Sequence, residues 1–168
     1  MNRLLARRGQ LLDRAATFFG SVEQEHANLQ AIEDRLVALE AADPASQGLN
    51  AVIKQHEELR APLDESASRA HNAQAEATAI GEDLRLVQEE LLAAHVLSSS
   101  SSSSSSSANE REQMQREAGA AVDTVHQALD AVLGRRADAD RRWKLLRLKL
   151  KLLYHLRDAH SVCFGFNT

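Results

Sequence analysis

Along three stretches of this chain, apolar residues recur at alternating spacings of three and four. That pattern constrains the fold more than any other feature of the sequence. In the first stretch the positions are Leu4, Arg8, Leu11, Ala15, Phe18, Val22, Glu25, Leu29, Ile32, Leu36 and Leu39, nine of eleven apolar. The second runs Leu49, Val52, His56, Leu59, Leu63, Ser66, Ala70, Ala73, Ala77, Ile80, Leu84, Val87, Leu91 and Ala94. The third runs Ala118, Val122, Val125, Leu129, Val132, Arg136, Ala139, Trp143, Leu146, Leu150 and Leu153. On a helix such positions form one seam. A single helix cannot bury its own seam, whereas three helices can bury one another's.

Local signals punctuate the seams. Pro44 disfavours helical geometry at Asp43 and ends the first. The second keeps one register across Pro62 and Gly81, which predicts one long helix kinked near Pro62, with a break at Gly81 as the alternative. Asn109 is the expected N-cap of the third helix, and Glu112 closes a capping box. Before it lie ten serines, Ser98 to Ser107. Neighbouring antiparallel helices lie roughly 8–10 Å apart, whereas ten flexible residues reach about 17–19 Å. The tract is therefore expected to be slack, a disordered loop and not a domain boundary. The expected helices span about 2–42, 48–97 and 108–161, with 162–168 a frayed tail or the start of a following repeat. The expected fold is all-α, a single domain over 1–168 forming an elongated, antiparallel, up-down-up three-helix bundle.

Composition supports a helical reading. Aromatic residues make up 4% and strand formers are few, while 43% hydrophobic content is enough for a core. A formal net charge of −4 argues against general nucleic-acid binding. The single Cys163 excludes an internal disulfide framework, which makes a reducing, cytoplasmic location the expectation. MNRLLARRGQLLDR carries charges inside its apolar stretch, unlike a secretory signal. No run approaches the roughly 18 apolar residues of a membrane span.

Between Arg135 and Arg157 lie nine basic residues and two acids. In an up-down-up arrangement these cations would face Glu33, Glu40, Glu57, Glu58, Asp64 and their neighbours, while Arg3, Arg7, Arg8 and Arg14 would face Glu110, Glu112 and Glu117. The cations outnumber the nearby acids, so Arg141, Lys144, Lys149 and Lys151 form a candidate surface for another protein or an anionic membrane. The alternating KLLRLKLKLLYHL also fits a strand over 147–152, but it sits inside a helical pattern, so Leu148 and Leu152 are expected to widen the apolar stripe toward a partner.

LNAVIKQHEELRAPLDE, with His56 among Leu49, Ile53 and Leu59, resembles the second helix of a spectrin repeat. DADRRWKLLRLKLKLL resembles the third, with Trp143 at the place of that helix's buried tryptophan, its N–H at the bundle edge. FFGSVEQEHANLQAIEDRLVALEAADP resembles a first helix, although Asn28 and Leu29 stand where that helix usually has a tryptophan. The resemblance covers about two-thirds of the chain. It implies a non-catalytic spacer and docking module in a larger cytoskeletal or signalling protein, such as a spectrin-repeat Rho exchange factor. It implies other proteins and adjacent repeats as partners. The expected core is Phe18, Leu29, Leu36, His56, Leu59, Leu63, Trp143, Leu146 and Leu150.

Chemistry is sparse. Seven histidines show no HExxH and no ligand spacing with cysteine. Cys163 near His160 has no third orienting group. Glu23-x-x-His26 has no second copy, as a di-iron bundle would need. No catalytic, metal-binding or cofactor-binding residue is expected, and no small-molecule substrate or nucleic-acid partner.

Overall fold

A computed structural model describes residues 2–43, 48–98 and 104–165. Among them every regular element is an α-helix and there is no strand. The helices are α1 (Asn2–Ala41), α2 (Leu49–Glu58), α3 (Arg60–Ser98) and α4 (Ser104–Gly165). Every buried side chain among the described residues stands on one of the three seams. The spacing of apolar residues thus decides which face of each helix leaves water. One domain is the expectation. The contacts gather into two compact units, Met1–Gln24 with Ala70–Val132, and Glu25–Arg69 with Leu133–Thr168.

In the first unit the core comes from Leu11, Phe18 and Val22 of α1, from Ala70, Ala77, Ile80 and Val87 of α3, and from Val125, Leu129 and Val132 of α4. Arg7 pairs with Glu90, and Arg14 with Asp83 and Glu76. Numbers rise along α1 as they fall along α3, so these segments run antiparallel. The expected partners of the α1 cations were Glu110, Glu112 and Glu117 of α4. Instead Arg7 and Arg14 meet α3, and Glu112 pairs with Arg116 one turn away on its own helix. The reason lies in spacing. Arg7 and Arg14 are one heptad apart, as are Glu76, Asp83 and Glu90, so both sets line the edge of one shared seam.

In the second unit Leu29, Ile32, Leu36 and Leu39 of α1 pack with Leu49, Val52, His56, Leu59 and Leu63, and with Ala139, Trp143, Leu146 and Leu150 of α4. Arg35 meets Glu58, and Arg69 meets Glu25. Glu33 meets Arg135 and Glu40 meets Arg142, each at 2.7 Å and each pair one heptad beyond the other. The hydrogen bonds that Arg135 donates to the Glu33 carboxylate raise the Arg135 pKa above its ordinary value. Of the other acids expected to face α4, Asp64 pairs with Arg60 and Glu65 with Arg69 within their own helix, at the i,i+4 spacing.

The helix expected over 48–97 with a kink near Pro62 is interrupted at a single residue, Leu59, between α2 and α3. Gly48 opens α2 at φ 81°, a left-handed value that costs glycine little. The interruption falls at Leu59, neither at Gly81 nor at Pro62 itself. Pro62 has no N–H for the Glu58 carbonyl, and its ring crowds that carbonyl. α2 therefore ends at Glu58. Leu59 N–H turns back to the His56 carbonyl at 3.2 Å, and Leu63 N–H resumes the pattern on Leu59 at 3.3 Å.

The serine tract departs from expectation as well. Ser98 closes α3 and Ser104 to Ser107 open α4, while 99–103 lie outside the described residues. Asn109 is therefore inside α4 and is not its N-cap. Adding residues to a formed helix is easier than nucleating one, and serine is a tolerable helix former. α4 also extends past the expected end near 161 to Gly165, and 166–168 lie outside the described residues.

Gly81 sits inside α3, and a Cβ built there meets nothing within 4 Å. Gly81→Ala should therefore raise unfolding free energy by about 1 kcal/mol in urea denaturation. A loss of stability would mean that the helix does not run through this position.

Candidate functional site

Trp143 lies on the seam of α4 and is 4% exposed. Its ring stacks on His56 at 4.7 Å between centroids and 13° between planes. The indole Nε1–H donates to the His56 carbonyl at 3.0 Å. His56, 1% exposed, donates from Nε2 to the Trp143 carbonyl at 2.9 Å. A carbonyl only accepts, so His56 Nε2 carries its proton. The indole N–H, expected at the bundle edge, is instead buried and bonded. The interruption at Leu59 places the His56 carbonyl at a helix end, where it accepts from Leu59 N–H and from the indole. Two guanidinium groups complete the setting, Arg60 at 5.1 Å and Arg147 at 5.4 Å from the Trp143 ring centre.

With Trp143, Leu146 and Leu150 turned inward, the opposite side of α4 is fixed by the 3.6-residue repeat. Leu145, Leu148, Leu152 and Leu156 stand there, 60%, 64%, 61% and 56% exposed. Leu148 and Leu152, expected to widen the apolar stripe toward a partner, lie outside the buried stripe. They belong to a second, outward apolar line. In the same unit Val37 is also exposed, but it stands apart from that line. Scattered exposed apolar residues are normal, whereas a contiguous line of leucines marks a contact surface.

The four candidate surface cations are all exposed. Arg141 pairs with Asp138 at 3.0 Å and Lys144 with Asp140 at 2.5 Å, both within α4. Among the described residues, Lys149 and Lys151 have no ion-pair partner. The remaining cations of the basic stretch mostly serve the packing: Arg135 and Arg142 on α1 carboxylates, Arg147 beside the indole.

Comparison with protein-family models, with curated proteins and with solved structures finds no match. The spectrin-repeat resemblance therefore stands on the residues quoted for it.

All nine residues expected in the core, Phe18, Leu29, Leu36, His56, Leu59, Leu63, Trp143, Leu146 and Leu150, are buried. Among the described residues no three His, Cys, Asp or Glu side chains come together as metal ligands. The Cys163 side chain lies outside the described residues. No described helix is long and apolar enough to cross a membrane. A cleft of about 620 Å³ belongs to the first unit and is lined mainly by apolar side chains such as Leu12, Phe19, Leu84 and Met114. Sequence reasoning singled out Leu148 and Leu152 of this line and missed Leu145 and Leu156. The signal was present, because Leu145, Leu148, Leu152 and Leu156 share one angular sector of a helical wheel distinct from the seam.

Trp143→Ala should cost about 3–5 kcal/mol in chemical denaturation. Trp143→Phe keeps an aromatic ring but removes the second ring of the indole and its donor to the His56 carbonyl, and should cost less than the alanine change, about 1–3 kcal/mol. Leu148→Gln, on the outer line, should stay within about 0.5 kcal/mol of the parent. Equal costs at Trp143 and Leu148 would contradict the division of α4 into an inner and an outer face.

Proposed function

We propose that this chain is a non-catalytic structural module, an up-down-up, spectrin-like three-helix repeat that acts as a spacer and protein-docking surface. Its setting on this reading is a larger cytoplasmic protein of the cytoskeleton or of signalling. The observation that carries the docking role is the outward leucine line of α4, which is exposed over more than half of each side chain. The helical directions within the second unit support the bundle. α1 and α4 are tied in parallel through Glu33–Arg135 and Glu40–Arg142, and α2 runs against α4 through Asn50–Arg157 and His56–Trp143. The buried tryptophan and its histidine neighbour support the spectrin-like reading, since both sit at the positions that carry the resemblance.

A membrane-surface role is the second reading, and the unpaired Lys149 and Lys151 favour it. Anionic headgroups attract a basic helix face with roughly 1 kcal/mol per cation near the surface, and salt weakens that attraction. Co-sedimentation with phosphatidylserine-containing vesicles separates the two. As a protein-docking module, the chain stays in the supernatant at moderate salt. Salt-sensitive pelleting that Lys149→Glu with Lys151→Glu abolishes would replace the docking reading with the membrane one.

A further inference from the structure

We propose that the outer line of α4 is one half of a heteromeric coiled coil, shaped for an acidic amphipathic helix of another protein. The assignment rests on the docking reading above and names the chemistry of the partner.

Leu145, Leu148 and Leu152 follow one another at spacings of three and four, the step between the apolar positions of a heptad. With these as a, d and a, the positions that flank the seam are Lys144, Lys149, Lys151 and Leu156. Residues at those flanking positions face their counterparts on the partner helix, and their charges decide which partner is accepted. Here three of the four are lysine and none is acidic. From Arg141 to Arg157 the helix carries seven cations and no acid. A partner helix with glutamate at its own flanking positions would meet each lysine with an opposite charge. A second copy of this face would set lysine against lysine, which is repulsive.

The width of the line favours a helix over a membrane. An interfacial helix buries an apolar sector of about 100° or more. Here Arg141 and His155 occupy the next positions of the heptad on either side of the leucines, and Lys149 borders the line directly. A narrow seam closed by polar residues at both ends suits a partner side-chain row. The core-facing side of α4 is occupied by its own bundle, because Trp143, Leu146 and Leu150 are buried.

The test uses the full chain and two labelled synthetic helical peptides. Both carry leucine at their a and d positions. One has glutamate at e and g, the other lysine. Fluorescence anisotropy should show the glutamate peptide binding roughly tenfold or more tightly than the lysine peptide, with the preference shrinking as salt rises. Leu148→Gln with Leu152→Gln should weaken the glutamate peptide by roughly tenfold or more while the melting curve stays unchanged. Lys149→Glu with Lys151→Glu should reverse the order of the peptides. Equal binding of the two peptides, binding of neither, self-association of the chain in preference to the peptide, or capture by anionic vesicles would each overturn the assignment. Loss of peptide binding by a folded chain that stays off vesicles overturns the partner chemistry alone. The spacer reading fails separately, through vesicle binding.

Discussion

The reciprocal contact between Trp143 and His56 governs the second unit. Each ring donates to the other residue's backbone carbonyl while the two rings stack. This fixes three quantities together: the axial register of α2 against α4, the rotation of α4 about its axis, and the protonated nitrogen of His56. A buried indole N–H without an acceptor costs about 1–3 kcal/mol, so alternative registers that separate the pair are disfavoured. Pro62 contributes from a distance. By ending α2 at Glu58 it leaves the His56 carbonyl near a helix terminus, where orphan carbonyls need donors.

The rotation of α4 links the packing of the unit to the face that α4 leaves exposed. Trp143, Leu146 and Leu150 turn inward together, so Leu145, Leu148 and Leu152 must turn outward. Two apolar faces on one helix are a hazard in a lone helix, which would associate through either. Burying one face in the bundle leaves the other as the single face on offer. The cations around it divide in the same manner. Arg135 and Arg142 pair with Glu33 and Glu40, and Lys149 and Lys151 have no ion-pair partner among the described residues. Exposed pairs such as Arg142–Glu40 contribute only about 0–1 kcal/mol each. Their value lies in the heptad repeat, which selects one alignment of helices over its neighbours.

The seams were legible in the sequence to a fine degree, because burial follows directly from the three-four spacing. Glu25, His56 and Ser66 are buried despite their polarity, since each occupies a seam position. Other features depended on competition that spacing does not record. The serine tract reads as a loop, yet helix propagation carries α4 back to Ser104. Arg7 and Arg14 had acids available on two helices, and the heptad spacing of Glu76, Asp83 and Glu90 on α3 won. Leu148 and Leu152 were legible as apolar residues beyond the seam, whereas Leu145 and Leu156 were not read with them. Their direction follows from the anchoring of Trp143, which is a tertiary fact. Pro62 marked a disturbance near the right place, but the displaced residue is Leu59, because a proline acts on the turn before it.

Hydrogen exchange at the Trp143 indole Nε1–H, followed by nuclear magnetic resonance, tests the central contact most directly. A buried indole bonded to the His56 carbonyl exchanges only when the unit opens, so its protection should match that of the slowest backbone amides of α4. It should also collapse in His56→Ala, in which the stacked ring and its bond to the Trp143 carbonyl are gone. An indole that exchanges at the rate of a free tryptophan in the folded chain would contradict the anchoring of α4, and with it the outward placing of the leucine line.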